Sequence, residues 1–194
     1  MIVGTGDDPM PIAKAVLDGG GRVLQYRGKD KKGAAQLREA RCLREVTRHF
    51  GATLVINDRP DIALLSDADG VHLGARDLPI EVVRRMLGPE KLIGATAHSP
   101  AEAVQAEARG ADYIGFGAVF PTRSKEGAAV TSPEMLGQTV SRVAIPVVAI
   151  GGINGGNSAQ VMSQGAHGVA VLSAVTEAED PVAATGEMLT ALAG

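Results

Sequence analysis

Residues 147–154 read VVAIGGIN, a short β-branched apolar run that ends in two glycines and an amide. Runs of this kind are typical of strands buried on both faces of a parallel sheet. They recur along the chain, separated by longer amphipathic stretches, and no low-complexity linker divides them. The pattern predicts strands at residues 2–3, 22–26, 53–56, 70–72, 92–95, 113–116, 147–150 and 168–171.

The stretches between these strands have helical spacing. Within residues 33–50, apolar side chains stand three or four positions apart, at Leu37, Ala40, Leu43, Val46 and Phe50. Ser99 is a predicted N-cap for a helix over residues 100–109. Eight parallel strands, each followed by a helix, predict one (β/α)8 TIM barrel over residues 1–194, with a short first strand. An open doubly wound sheet is the structural alternative.

Composition excludes several classes of protein. The 194 residues are 45% hydrophobic and 21% charged, with a formal net charge of −3, which excludes a disordered chain. The charge balance provides no cationic surface for nucleic acid or for an anionic membrane, and no apolar run approaches the roughly 20 residues that span a bilayer. We therefore expect a cytoplasmic protein with small-molecule partners. The sequence leaves the oligomeric state open, a homo-oligomer included.

Two common kinds of site are also excluded. Residues 4–9 read GTGDDP, which lacks the third glycine of a dinucleotide site and places two acids where a pyrophosphate would lie. The four histidines have no zinc-ligand spacing. His72 alternates with apolar residues, which favours a barrel-interior histidine with satisfied hydrogen bonds over a catalytic one.

Polar side chains follow the second predicted strand. Residues 25–29 read QYRGK, and the two-residue period of an extended chain directs Gln25, Arg27 and Lys29 to one side. Active sites of barrels are built from the loops that follow the strands. Two cations and an amide at this place favour an anionic ligand over the alternative of a solvated charged turn.

Carboxylates follow the third and fourth predicted strands. Asn57 and Asp58 directly follow the third strand, and Asp77 comes shortly after the fourth. Taken singly, Asp58 and Asp77 are equally typical of helix N-caps. Together, two carboxylates on adjacent loops form the sparse oxygen site that Mg²⁺ prefers, with waters and substrate phosphate oxygens completing its coordination. The sequence therefore predicts Mg²⁺ bound to Asp58 and Asp77.

The later strand ends carry hydroxyl groups and glycines. Residues 122–125 read TRSK, a composition suited to binding phosphate, with a mobile solvated loop as the alternative. Gly151 and Gly152 follow the seventh strand, and Ser173 follows the eighth. Glycines at a helix N-terminus expose backbone N–H groups, and barrels bind phosphate monoesters on these two loops. Two phosphate sites facing each other indicate group transfer rather than isomerisation.

Several segments match, in order and spacing, the motifs of one known family. They are QYRGK at 25–29, VIND at 55–58, GVHLG at 70–74 followed by Asp77, GATAHS at 94–99, GAVFPTRSK at 117–125, AIGGI at 149–153 and GVAVLSA at 168–174. Through these motifs the chain resembles the thiamine-phosphate synthase family over almost its whole length.

The resemblance implies an enzyme that joins 4-amino-2-methyl-5-hydroxymethylpyrimidine diphosphate to 4-methyl-5-(2-hydroxyethyl)thiazole phosphate by a dissociative, Mg²⁺-assisted mechanism. It assigns to the pyrimidine diphosphate Gln25, Arg27, Lys29, Asn57, Thr96 and Lys125, of which Arg27, Lys29 and Lys125 are the catalytic cations. It assigns to the thiazole phosphate Thr122, Ser124, Gly152, Leu172 and Ser173. Asp58 and Asp77 are the implied metal ligands.

The chain departs from the family pattern at three positions of these motifs. Gly28 replaces an acid, Thr96 a serine and Ala118 a proline. Two rival functions remain at this point. A related thiazole tautomerase lacks the metal carboxylates and has a histidine where Ala118 stands, and a non-catalytic regulatory barrel would bind thiazole phosphate without forming product.

Overall fold

The computed structural model describes residues 2–3, 8–123 and 130–193. Strands and helices alternate along the chain. The strands are β1 (Ile2–Val3), β2 (Val23–Tyr26), β3 (Thr53–Asn57), β4 (Gly70–Leu73), β5 (Leu92–Ala97), β6 (Tyr113–Gly117), β7 (Val147–Ile150) and β8 (Gly168–Ala170). The helices are α1 (Met10–Asp18), α2 (Gly33–His49), α3 (Pro60–Leu65), α4 (Ile80–Leu87), α5 (Pro100–Ala108), α6 (Pro133–Val140), α7 (Ser158–Ser163), α8 (Ser173–Thr176) and α9 (Pro181–Ala193).

The strand order confirms the barrel. All neighbouring strands are parallel, and they pair in chain order from β1 to β8. A doubly wound sheet would reverse its strand order at a switch point, so the open-sheet alternative is wrong. Among the described residues no ladder joins β8 back to β1, which pairs with β2 through only Ile2 and Val3. The predicted short first strand therefore lies at the seam of the barrel.

Several strands end later than the sequence indicates, because parallel pairing continues into the polar segments that follow. Asn57 pairs with His72, and Gly117 pairs with Ile150. Site residues such as Asn57 are therefore the last residues of strands rather than the first residues of loops.

Helix α5 begins as predicted, with the Ser99 hydroxyl accepting a hydrogen bond from the Glu102 N–H at 3.2 Å.

Helix α2 buries the centre of the apolar stripe that its sequence indicates. Its buried residues are Gln36, Ala40, Leu43 and Thr47, whereas Leu37 and Val46, on the two flanks of the stripe, are only partly buried. Gln36 and Thr47 lie four residues from Ala40 and Leu43, respectively, so the buried face also includes two polar side chains. Gln36 lies at the end of α2 nearest the carboxyl ends of the strands, and Thr47 lies at the opposite end.

Candidate active site

One cavity of about 340 Å³ lies at the carboxyl ends of the strands. It brings together every predicted site residue that falls within the described part of the chain. These residues are Gln25, Arg27, Lys29, Asn57, Asp58, Asp77, Thr96, Thr122, Gly152, Leu172 and Ser173. Ser124 and Lys125 lie outside the described residues, so their assignments stay predictions.

The cationic side of the cavity is formed by the loop after β2. Arg27 is half-buried and Lys29 is exposed, and the two are separated by the buried backbone of Gly28. The Lys29 Nζ lies 3.7 Å from an Asp58 carboxylate oxygen on the next loop. The pKa of the Asp58 carboxyl group is raised, first by burial and then by Asp77, and the positive charges of Lys29 and Arg27 oppose that rise. This side of the cavity therefore combines fixed positive charge with a carboxylate.

Asp58 and Asp77 lie side by side. Their side chains are within hydrogen-bonding contact, and the pKa of Asp58 is raised, first by burial and then by the hydrogen bond and charge of Asp77. Asp58 has a φ of 64°, a left-handed conformation that Asp tolerates better than most residues, and its N–H donates to the His72 carbonyl oxygen at 2.8 Å. Asp77 accepts from the Gly74 N–H at 2.7 Å, which fixes its carboxylate.

The donor chemistry of this pair fits Mg²⁺. Two ionised carboxylates in contact repel each other unless a proton or a cation lies between them. Carboxylate oxygens are hard ligands, and Mg²⁺ is commonly held by one or two of them together with water and phosphate oxygens. The described residues contain no group of three or more carboxylate, imidazole or thiol side chains that could hold a metal ion. The two-carboxylate pair is therefore the candidate metal site in this part of the chain. Neither aspartate caps a helix, since α3 and α4 have Arg59 and Pro79 at their N-cap positions.

A chain of polar side chains crosses the barrel below the cavity. The Tyr113 hydroxyl is hydrogen-bonded to Gln25 and lies 3.0 Å from His72 Nδ1, while His72 Nε2 lies 3.0 Å from the Thr96 hydroxyl. Burial raises the pKa of Tyr113 well above its ordinary value, so this hydroxyl stays protonated and keeps its proton for donation. His72 is a satisfied interior histidine, as predicted, but it also lines the cavity.

The opposite side of the cavity is formed by backbone after β7 and β8. Gly151 and Gly152 have φ values of 97° and 65°. The glycines do not lead directly into a helix, because α7 begins at Ser158; the helix that starts at this edge is the single turn α8, at Ser173. The prediction of glycines at a helix N-terminus is wrong for Gly152, which instead lets the strand turn sharply against the loop after β6.

Comparison with known proteins identifies the family. The sequence model of the family described as thiamine monophosphate synthase matches residues 1–175. The chain belongs to the thiamine monophosphate synthase family. A thiamine-phosphate synthase of Chlorobium luteolum is 45% identical over 182 residues, which cover 93% of this chain and 86% of that protein. One of Pyrococcus furiosus is 46% identical over 175 residues, covering 90% and 84%.

A solved structure supports the same family. The thiamine phosphate pyrophosphorylase of Pyrococcus furiosus superposes with a TM-score of 0.91 at 42% identity, covering 96% of this chain and 90% of that one. Thiamine-phosphate synthase activity, a transferase activity of thiamine biosynthesis on small molecules, is therefore the function that these comparisons support. No helix in the described part of the chain is long and apolar enough to cross a membrane.

The sequence patterns do not identify several residues in and below the cavity. They place Tyr113 in a strand and give it no role at the site, although two glycines inside strands mark the space that the polar chain needs. A Cβ on Gly94 would lie 2.1 Å from the Tyr113 ring, and one on Gly115 would lie 2.7 Å from the His72 ring. A glycine inside a strand is a signal of such close approach. Arg76 and His98 also line the cavity, and His98 Nδ1 donates to the Gly117 carbonyl oxygen.

Replacing Gly152 with alanine is expected to destabilise the side of the cavity that follows β7 and β8. A Cβ there would lie 2.5 Å from the Pro121 carbonyl oxygen, and the φ of 65° is unfavourable for alanine. We expect the free energy of unfolding to fall by about 1–3 kcal/mol, measured as a lower Tm. We also expect weaker binding of thiazole phosphate, the ligand that the family resemblance assigns to Gly152. Gly155→Ala is the matched control, because a Cβ at Gly155 meets no atom within 4 Å. Parental Tm and ligand affinity in Gly152→Ala would contradict the tight packing.

Proposed function

We propose that the protein joins 4-amino-2-methyl-5-hydroxymethylpyrimidine diphosphate to 4-methyl-5-(2-hydroxyethyl)thiazole phosphate, forming thiamine phosphate and releasing diphosphate. The observation that carries the proposal is the shared cavity, in which Arg27, Lys29 and the Asp58–Asp77 pair face the backbone of the loops after β7 and β8. One side suits a diphosphate with its metal ion, and the other suits a phosphate monoester.

The diphosphate side would be bound by this chain's own cations. Arg27 and Lys29 would bind the diphosphate oxygens, with Asn57 at the adjacent strand end as a further ligand. Asp58 and Asp77 would hold Mg²⁺, which when bound would neutralise charge on the leaving diphosphate. Lys125, outside the described residues, is assigned the same role through the family motif.

The pyrimidine would lie over the polar chain inside the barrel. Gln25 and Thr96 are the predicted ligands, and their contacts with Tyr113 and His72 fix their side-chain positions. The thiazole phosphate would be bound by Thr122, Gly152, Leu172 and Ser173, and by Ser124 outside the described residues. The two substrates would then meet above the centre of the barrel.

The proposed chemistry requires no nucleophile from the protein. The C–O bond between the pyrimidine methylene carbon and the diphosphate breaks, and its electron pair leaves with the diphosphate. The electron-rich aminopyrimidine ring stabilises the resulting cation, and the thiazole nitrogen donates its lone pair to form the new C–N bond. The protein's tasks are to stabilise charge developing on the diphosphate and to align the thiazole.

One assay tests this proposal against its rivals. Purified protein is incubated with both substrates and Mg²⁺, and thiamine phosphate and diphosphate are quantified together. We expect equal amounts of both products, and none after chelation of the metal or omission of the thiazole phosphate. Binding of thiazole phosphate without product would favour the non-catalytic barrel. Isomerisation of the thiazole phosphate alone would favour the tautomerase, against which the presence of Asp58 and Asp77 in the cavity argues.

A further inference from the structure

Gln36 is a buried polar side chain for which the proposed chemistry has no use. It lies in the first turn of α2, is 7% exposed, and is not among the residues that line the large cavity. A buried amide must satisfy its hydrogen-bonding groups, because an unsatisfied buried polar group is costly. The partners that Gln36 uses therefore indicate what it holds in place.

Both partners of Gln36 belong to loops that form the cavity. Its Nε2 donates to the Gly28 carbonyl oxygen, which lies between Arg27 and Lys29. Its Oε1 accepts from Arg59 Nη1 at 2.8 Å, and Arg59 directly follows Asp58. One side chain thus connects the loop that carries the cations with the loop that carries a carboxylate.

The Arg59 end of this connection is firmly anchored. Arg59 Nε donates to Asp61 at 2.8 Å, and its Nη2 donates to the other oxygen of the same carboxylate. Such paired contacts fix the plane of a guanidinium group. Arg59 Nη1 is therefore held in place as a donor to Gln36. Gln36 can in turn hold the loop after β2 in position.

The Gly28 end depends on Gln36 because residue 28 has no side chain to pack. A Cβ at Gly28 would lie 2.4 Å from the Tyr26 hydroxyl, which occupies that space and donates to Glu39 at 2.7 Å. The loop is consequently positioned through its backbone. The Gly28 carbonyl oxygen accepts from the Lys31 N–H at 3.2 Å and from Gln36, and of these two bonds the second leads, through Gln36, to Arg59 on the loop after β3.

We propose that Gln36 is a positioning residue that connects the loops after β2 and β3 from outside the cavity, and so sets the separation of Lys29 and Asp58 for binding magnesium diphosphate. The inference rests on the proposed function for its meaning, since these two residues are the proposed diphosphate and metal ligands. It concerns the affinity of one side of the cavity only. The residues of the thiazole phosphate side follow β6, β7 and β8, away from this connection.

The test compares Gln36→Leu with Thr47→Val in the full-length protein. Thr47 lies on the same buried stripe at the opposite end of α2, is 0% exposed, and its hydroxyl donates to the Arg44 carbonyl oxygen within the helix, so its replacement controls for general damage to α2. Affinities for magnesium diphosphate and for thiazole phosphate are measured by titration calorimetry, and Tm by thermal unfolding. In Gln36→Leu we expect the Kd for magnesium diphosphate to rise about tenfold, with the Kd for thiazole phosphate unchanged. Thr47→Val should lower Tm without altering either Kd.

A second variant guards against failure to fold. Gln36→Glu keeps the acceptor for Arg59 but, when ionised, cannot donate to the Gly28 carbonyl oxygen, so the same selective loss is expected. Equal weakening of both ligands, no weakening, or failure of both Gln36 variants to fold while Thr47→Val folds would overturn the positioning role. Because calorimetry requires no turnover, this outcome is separate from the product assay: an inactive parental protein contradicts the proposed reaction without deciding the role of Gln36.

Discussion

Arg27→Ala is expected to lower kcat for thiamine phosphate formation by about 10²- to 10³-fold, or roughly 3–4 kcal/mol of barrier, the magnitude found when one preorganised donor is removed from developing negative charge. Arg27 lines the cavity, is half-buried, and its charge opposes the rise in the pKa of the Asp58 carboxyl group that burial and Asp77 cause. A partly desolvated cation acts more strongly than one in water, because solvent screens it less. Steady-state kinetics with both substrates measure the effect.

Arg38→Ala is the matched control for this prediction. Arg38 is an exposed residue of α2 and does not line the cavity, so its replacement removes the same charge without changing the site. Near-parental turnover in Arg27→Ala would exclude the arginine from stabilising the leaving group. An equal loss in both variants would indicate that overall charge, rather than position, controls the rate.

The double variant Asp58→Asn with Asp77→Asn is expected to lose activity at least 10²-fold and to require much more Mg²⁺ for what remains. Asparagine is the appropriate replacement because it tolerates the φ of 64° at Asp58, whereas alanine would add backbone strain. The substitutions remove both negative charges and leave amides of similar shape. Activity is measured as a function of Mg²⁺ concentration.

Stability provides an independent readout of the same pair. Burial and the neighbouring Asp77 raise the pKa of Asp58, so the ionised pair is unfavourable in the folded protein without a cation. Asp58→Asn is therefore expected to raise Tm in metal-free buffer, and Mg²⁺ should raise the Tm of the parental protein more than that of the double variant. Activity that survives both the double substitution and chelation would exclude the metal role.

Much of the fold and of the site could be predicted from the sequence. Apolar runs and intervening helical patterns specify eight βα units, and the polar residues after each run were expected at one edge of a parallel barrel. Gln25, Arg27 and Asp58 accordingly line the same cavity. Strand ends are predictable in this way because the carboxyl ends of parallel strands converge whatever the details of packing.

Only the tertiary structure decided which polar residues support that edge from within. Gln36 lies one turn before Ala40 on the buried face of α2, but nothing in its local sequence indicates that its amide contacts Gly28 and Arg59. Tyr113 and His72 come from non-adjacent strands, and their hydrogen bond forms across the barrel interior. Periodicity in the sequence specifies which face an element buries, because local geometry repeats along the chain. Hydrogen bonds between distant segments depend on how the elements pack, and that is determined only when the barrel has formed.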